Sequence, residues 1–406
     1  MSREEQIWIT GLGTANPLGN DYATVAENLL KGKSGVGPIS DLDLDEYACK
    51  IAGRFDPPPA PRGWTAEAFA RLDKIHQLIL WCTTGALVDA GYWDERANLR
   101  VGIVLGLGAE WPQAWERDGH RGGDWVLAPR GDEESLVRTV QTQLGLMGPA
   151  TTVAAACASG NVALAQGRNW LKRGWVDICL AGACDMWVTP LALASFGRLR
   201  VLSRRNDEPT RASRPFDRGR DGFVMGEGGA MFVLERADRA RRRSARAYAE
   251  LAGHGGTSDA FNLVIPNADP GPAAKAVRMA LGNARVNPDQ IDYVNAHGTS
   301  TPVGDSCEAK VLHTVLGSSS SRVPVSSTKS MTGHLLSAAA AMEALVCMIA
   351  LERQAVPPTI NLDDPDPDCA LCHVANESRA HPIRVAVSNS FGFGGNNTCV
   401  VFRKVA

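Results

Sequence analysis

The residues able to do chemistry fall in four short segments. In Thr151-Thr-Val-Ala-Ala-Ala-Cys157-Ala-Ser-Gly-Asn-Val-Ala-Leu-Ala, a β-prone entry runs through small residues into an Ala-rich helix, with Cys157 at the junction. A thiol there faces the positive end of a helix dipole, which favours the thiolate. Small neighbours let backbone N–H groups approach a reacting carbonyl, the logic of a nucleophile on a sharp strand-to-helix turn. A buried structural cysteine would leave the same local pattern. In Tyr293-Val-Asn-Ala-His297-Gly-Thr-Ser-Thr, an apolar strand delivers His297 into a Gly/Thr-rich loop, and Asp305 and Glu308 enter the following helix. An imidazole at a strand end is placed to donate a hydrogen bond or move a proton. A satisfied core histidine reads the same way. No second His or Cys joins His297 and Asp305 at ligand spacing, so no metal site is expected.

The third segment, Ser326-Ser-Thr-Lys329-Ser-Met-Thr-Gly-His334, sets Lys329 and His334 around a turn that opens an apolar helix. A lysine pressed towards a core is costly unless it is paired with an acid or serves a reaction. The fourth, Ser388-Asn-Ser-Phe-Gly-Phe393-Gly-Gly-Asn-Asn-Thr, lies between two strands. Its glycines suit a loop whose backbone must come close to another group. A surface lysine, a capping histidine and a plain tight turn are the simpler alternatives.

Short apolar, β-branched runs must position these segments: Ile7-Trp-Ile-Thr-Gly, Val101-Gly-Ile-Val-Leu-Gly, Val176-Asp-Ile-Cys-Leu-Ala-Gly, Gly229-Ala-Met-Phe-Val-Leu, Ile291-Asp-Tyr-Val-Asn-Ala, Val385-Ala-Val-Ser and Thr398-Cys-Val-Val-Phe. They read as buried strands. Between several of them lie Ala/Leu-rich stretches of helical length at 77–90, 160–173 and 336–352. Strands alternating with helices predict an α/β architecture with largely covered sheets.

The whole chain of 406 residues predicts two or three domains, or one large duplicated fold. With 44% hydrophobic residues, wholesale disorder is excluded. With 42 basic against 44 acidic residues, no global field favours nucleic acid or an anionic membrane. The basic run at 236–246 predicts a solvated helix face, and the Gly-, Trp- and charge-rich stretch at 111–132 a long surface or pocket-capping loop. The start, Met1-Ser-Arg-Glu-Glu-Gln, carries charge where an export signal needs an apolar stretch. The longest apolar run, 335–351, is interrupted by Glu343 and falls short of the ~20 residues of a membrane span, so it predicts a buried helix. Ten scattered cysteines read as reduced thiols in a cytoplasmic protein, with Cys307 and Cys49 as exposed spares.

Taken in this order, the Cys, the His, the Lys-x4-His and the Gly-Phe-Gly-Gly loop resemble the β-ketoacyl-acyl-carrier-protein synthases. The resemblance runs from Ile9-Thr-Gly-Leu-Gly to the C-terminus and includes Arg200-Val-Leu-Ser-Arg-Arg-Asn-Asp and Ser213-Arg-Pro-Phe-Asp-Arg-Gly-Arg-Asp-Gly-Phe-Val-Met-Gly-Glu-Gly. It is strongest to the elongating synthase II type and to ketosynthase subunits of type II polyketide systems. It implies a thiolase-like α/β fold, two related halves in a five-layer αβαβα arrangement, with residues 1–247 carrying Cys157 and 248–406 carrying His297, Lys329 and His334. It also implies a decarboxylative Claisen condensation of a Cys157-bound acyl chain with malonyl carrier protein, in fatty-acid or specialised polyketide or polyene biosynthesis.

By the same resemblance, His297 and His334 donate to the developing enolate, and Lys329 plays a structural and electrostatic role linked to Glu308. The oxyanion takes the amides of Cys157 and Phe393, while Phe393 and Phe196 gate the acyl pocket. Thr299 and Thr301 bind the phosphopantetheine arm. No metal or other cofactor is implied, since substrates arrive on that arm. An acidic acyl carrier protein is the implied partner, docking on Arg198, Arg200, Arg204 and Arg205, with a thinner second cluster at Arg71 and Lys74. A homodimer is usual in the family, and a heterodimer with a related subunit is the alternative. Two departures stand out. Val264 replaces an expected hydroxyl, and Ala109 with the 127–135 segment alters the region around the acyl tunnel, where Trp111, Trp115 and Trp125 could refill space. The rival readings are a non-catalytic chain-length-factor-like subunit and a Cys-His hydrolase or acyltransferase of acyl thioesters.

Overall fold

A computed structural model describes residues 6–108, 116, 118–119, 121–123 and 135–405. In chain order the strands of the first half are β1 (Ile7–Ala15), β2 (Val36–Pro38), β3 (Ile51–Gly53), β4 (Val101–Gly106), β5 (Ala150–Val153), β6 (Ile178–Asp185), β7 (Met225–Gly226) and β8 (Gly228–Arg236). Those of the second are β9 (Ala249–Ser258), β10 (Tyr293–Asn295), β11 (Val325–Ser326), β12 (Ala355–Val356), β13 (Arg379–Ala380), β14 (Val385–Gly392) and β15 (Asn396–Arg403). Ten of them form one sheet in the order β11-β10-β14-β15-β9-β1-β8-β6-β4-β5.

The seam is short. β1 meets β9 antiparallel through Trp8 opposite Glu250 and Ile9 opposite Ala249. Counting only the strands of this sheet, both sides run outward from it as first, fifth, fourth, second and third of their own half. On both sides two antiparallel pairings are followed by two parallel ones. The same topology is therefore written twice.

Helices complete the layers. Lys74–Asp89 covers β1, β8 and β6 on one outside, and Gly271–Ala284 covers β9 and β15 on the other. Between the halves lie Ser159–Lys172 and Ala339–Arg353, which touch each other and strands of both halves. The result is the five-layer α/β arrangement. Burial explains the composition of the middle layer: every residue of Ala339–Leu351 is buried, so nearly all are apolar. Gly160 lets the two central helices close up, because a Cβ there would lie 2.4 Å from the Ala341 nitrogen. The outer layers use one device in both halves. A Cβ on Gly11 or Gly13 would meet the carbonyls of Ala86 and Cys82 at 2.4 and 2.1 Å. On Gly253 or Gly255 it would meet those of Ala280 and Ala276 at the same distances.

One sequence expectation changes. Cys49 is no exposed spare: it is 3% exposed, in the apolar cluster around the small β2-β3-β7 sheet, while Cys307 is half-buried. The basic run is a short helix, Ala237–Arg242, with Arg236, Arg241, Arg242, Arg243 and Arg246 exposed as a solvated face requires, and some of these cations also pack on neighbours. Arg243 pairs with the buried Glu235 and stacks on Tyr92, and Arg241 lies 4.5 Å over the Trp8 ring. Most of the 111–132 loop, with Ala109, Trp111, Trp115, Trp125 and residues 127–134, lies outside the described residues. Among those described, no helix is long and apolar enough to cross a membrane.

Candidate active site

Cys157 sits where β5 turns into the Ser159–Lys172 helix. The turn is sharp: Ala155 bridges to Cys157, and Ala156 takes a left-handed φ of 49° that a residue with a Cβ adopts only under constraint. Ser159 supplies the constraint, accepting from the Ala155 amide at 2.9 Å and donating to the Ala156 carbonyl at 2.7 Å. From the other half, the Ser390 hydroxyl donates to the Cys157 carbonyl at 2.9 Å.

His334 follows the Lys329–Thr332 turn, and two backbone bonds to the Val224–Gly226 segment fix it: its amide donates to Val224 at 2.7 Å and its carbonyl accepts from Gly226 at 2.8 Å. Its Nε2 lies 3.1 Å from Cys157 Sγ. His297 leaves the end of β10, and its ring stands edge-on to His334 with centroids 5.5 Å apart. The sulfur and one nitrogen of each ring lie within 4.8 Å of one another. Zinc would accept that donor set, but the Lys329 ammonium, 3.3 Å from His297 Nδ1, opposes a cation there.

The expected link between Lys329 and Glu308 is not a contact. Lys329 Nζ donates to Glu343 and, at 2.6 Å, to the His297 carbonyl. Glu308 instead accepts the amides of His297 and Gly298 at 2.9 and 2.7 Å and the Asn389 side chain at 3.3 Å. Glu308 thus shapes the backbone that presents His297, and Glu343 holds the lysine. Glu343 interrupts an apolar run, and a lone acid in a buried helix must find a partner. That was the available signal for its role.

Burial governs the electrostatics. It pushes the Cys157 thiol up to about 11, against the downward pull of the Lys329 charge and of the Phe393 and Cys157 amides. The thiol is therefore protonated near neutrality, because desolvation outweighs the helix-end effect expected from the sequence. Burial and then Lys329 hold His297 and His334 well below the usual histidine range, so both are neutral. Burial raises the Glu343 carboxyl to about 7 despite its lysine, and raises Glu308 as well. Lys329 donates only, so it favours acceptance at His297 Nδ1 and leaves the proton on Nε2. His334 Nδ1 has no partner among the described residues, which leaves its ring free to carry the proton on either nitrogen.

These groups line a cavity of about 610 Å³. Its exposed rim includes Leu199, Arg200, Ile265 and Val303, and its buried wall includes Asp185, Leu336 and Ser337. Thr299 and Thr301 line it with hydroxyls 2.9 Å apart, and Thr301 also caps the Pro302–Leu316 helix. Phe196 and Phe393 line it too, their rings 6.3 Å apart. Phe223 joins Phe196 to His334 through edge contacts at 5.7 and 5.3 Å. Val264 lines the wall as an apolar surface.

The basic residues divide. Arg198, Arg200 and Arg204 are exposed near the rim, whereas Arg205 is half-buried, bonded to the Gly219 carbonyl and beside Asp221. Arg71 is paired with Glu67, and Lys74 lines a different cavity with Asp41, Arg54 and Glu227. Neither joins the Cys157 cavity.

The chain matches two family models, "Beta-ketoacyl synthase, N-terminal domain" over residues 4–240 and "Beta-ketoacyl synthase, C-terminal domain" over 248–363. It is 35% identical to a 3-oxoacyl-[acyl-carrier-protein] synthase 2 of Synechocystis, over 99% of this chain and 98% of that one. Its fold is similar to that of a ketosynthase/chain length factor of ishigamide, with a TM-score of 0.88, 30% identity, and 99% of each chain covered. It is also similar to a type II PKS acyl-carrier protein–ketosynthase complex bound to a hexaketide, with a TM-score of 0.84, 29% identity, and 98% and 99% covered.

Proposed function

The chain belongs to the beta-ketoacyl synthase family and is an acyltransferase of the 3-oxoacyl-acyl-carrier-protein synthase type, and from that premise we propose how its residues divide the condensation. The carrying observation is the 3.1 Å contact between Cys157 Sγ and His334 Nε2 inside a cavity that His297 shares.

An acyl chain arrives as a thioester on the phosphopantetheine arm of an acyl carrier protein, between Thr299 and Thr301. Neutral His334 takes the Cys157 proton as sulfur attacks the carbonyl. A new carbon–sulfur bond forms, the old one breaks, and the arm's thiol leaves with that proton. The oxyanion between these events takes the Cys157 and Phe393 amides. Malonyl carrier protein then enters. Its carboxylate carbon–carbon bond breaks, carbon dioxide leaves, and the electron pair moves into an enolate held by Nε2–H of His297 and of His334. The enolate carbon attacks the Cys157 thioester and forms the new carbon–carbon bond. Cys157 sulfur is expelled and recovers a proton from solvent. The departing carboxylate drives the step, so the reaction draws on no metal or further cofactor.

Residues 1–247 supply the nucleophile and 248–406 the two histidines and the lysine, so the site forms only where the halves meet. The carrier docks on Arg198, Arg200 and Arg204 at the rim, with Arg205 positioned behind them. The structural relatives in carrier and chain-length-factor assemblies support a carrier partner and a dimer, homomeric or with a related subunit. The cytoplasm is the proposed compartment. Intact-protein mass spectrometry with acyl carrier proteins loaded with short, medium and long chains tests the reading. A single acyl adduct is expected on the wild type and none on Cys157→Ala. Product formation by that variant would overturn it.

A further inference from the structure

One strained stretch of backbone on the cavity wall has no place in the condensation. Leu336, which follows His334 and Leu335, takes a left-handed φ of 47°, lines the cavity and is 8% exposed. A branched side chain keeps that conformation only where its surroundings impose it, and such residues gather where a site needs a fixed geometry. The turn is held at both ends. Upstream, the backbone of His334 is bonded to Val224 and Gly226. Downstream, the buried Ser337 donates its amide, at 2.9 Å, and its hydroxyl to Asp185 Oδ2, and the same hydroxyl accepts the Gly108 amide at 2.9 Å. The Asp185 carboxyl is fixed in turn by the Met186 amide.

This grip crosses between the halves. Asp185 ends β6, Gly108 follows β4 and Cys157 follows β5, so all three stand at the carboxyl ends of neighbouring parallel strands. The histidine turn of the second half is thus fastened to the strand ends that present the thiol. Leu336 also packs in one apolar cluster with Phe223, whose ring meets His334 edge-on at 5.3 Å. Without Ser337 the turn is free to relax towards negative φ and to draw His334 off the sulfur. We infer that Asp185 and Ser337 are positioning residues: by holding the left-handed turn at Leu336 they keep His334 Nε2 on Cys157 Sγ for proton transfer. The inference rests on His334 acting as the base in acyl capture, as proposed above.

The test measures single-turnover acylation of Cys157 by a saturated acyl pantetheine thioester, followed by mass spectrometry over a range of thioester concentrations. Ser337→Ala should lower the maximal rate tenfold or more and leave the half-saturating concentration within twofold of wild type, because the arm's contacts are untouched. Asp185→Ala should do the same, whereas Asp185→Asn, which keeps an acceptor for Ser337, should stay within threefold of the wild-type rate. This pair decides by itself if Ser337→Ala does not fold. Glycine takes a left-handed φ freely, so adding Leu336→Gly to Ser337→Ala should raise the rate at least threefold over the single variant. A merely structural role would lower the thermal midpoint and give neither the rate-only loss nor the rescue. Maximal rates within twofold of wild type in both alanine variants, equal losses in Asp185→Ala and Asp185→Asn, or no recovery with Leu336→Gly overturn the positioning and leave acyl capture intact. A His334→Ala variant that acylates at the wild-type rate overturns the base and the positioning with it.

Discussion

The Lys329 ammonium donates to the His297 carbonyl oxygen at 2.6 Å and stands 3.3 Å from Nδ1 of the same residue's ring. One side chain thus fixes both the backbone and the proton of a histidine while its charge is met by Glu343 behind it. The two histidines are consequently unequal. His297 is held as a constant Nε2–H donor, whereas His334, whose Nδ1 has no partner among the described residues, can accept a proton from Cys157 in one half-reaction and donate in the next.

Lys329→Ala should therefore damage two things at once. Losing the ordered His297 donor should lower malonyl decarboxylation by roughly 10²–10³-fold, the usual cost of one oxyanion-type donor. Stability should fall as well, since Glu343 is left buried without its cation, at about 3–5 kcal/mol when ionised. The pH dependence follows from the Glu343 carboxyl, already raised to about 7. Without the ammonium it rises further, so the folded variant keeps a proton that the unfolded chain has released. Its stability must fall as pH increases through and beyond 7. Urea midpoints at pH 6 and 8.5 should show the larger deficit at 8.5; an equal deficit would mean that Glu343 stays neutral in both.

Cys157 should behave as a protonated thiol in the resting enzyme. With the thiol pushed up to about 11, alkylation by iodoacetamide at pH 7.5 should run roughly 100-fold slower than for a free cysteine, whose thiol titrates near ~8.5. The rate should rise about tenfold per pH unit past pH 9 instead of levelling off. A plateau below pH 8.5 would show that the thiolate forms before substrate binds.

Gly392 is a steric test of the oxyanion loop. Its φ of −102° suits any residue, yet a Cβ there would lie 2.9 Å from the Ala155 carbonyl and 3.0 Å from the Cys157 amide. Gly392→Ala should push the Phe393 amide away from the reacting carbonyl without unfolding the chain. Acylation should slow tenfold or more at an unchanged thermal midpoint. An unchanged acylation rate would remove Phe393 from the oxyanion site.

Much of this site is legible in the sequence because each reacting residue sits at the end of a strand or the start of a helix. Local composition there announces the turn: Cys157 after small residues, His297 after an apolar strand, and Phe393 among glycines. The duplicated sheet is harder to see, since equivalent strands share an order and a close-packing device, Gly11 and Gly13 against Gly253 and Gly255, but little sequence. The Lys329–Glu343 pair is not legible there, because it joins a turn to the interior of a helix, and only packing decides which acid a buried lysine meets. The thiol's protonation is hidden for a related reason: a helix end is visible in sequence, but burial is not.

Carrier docking offers the remaining test, because the two basic clusters make different predictions. Arg200 is exposed, lines the rim of the Cys157 cavity and takes a left-handed φ of 57° that turns the chain there. Arg71 is already neutralised by Glu67 on its own helical face. An acidic carrier approaching the rim gains on-rate from the first and little from the second. Arg200→Glu should raise the KM for acyl carrier protein fivefold or more, with the effect weakening at high salt, and should leave the KM for a free pantetheine thioester within twofold. Arg71→Glu should change neither. An effect of Arg200→Glu on both substrates alike would mean that Arg200 serves the arm or the rim itself, and the docking surface would then move away from the 198–205 segment.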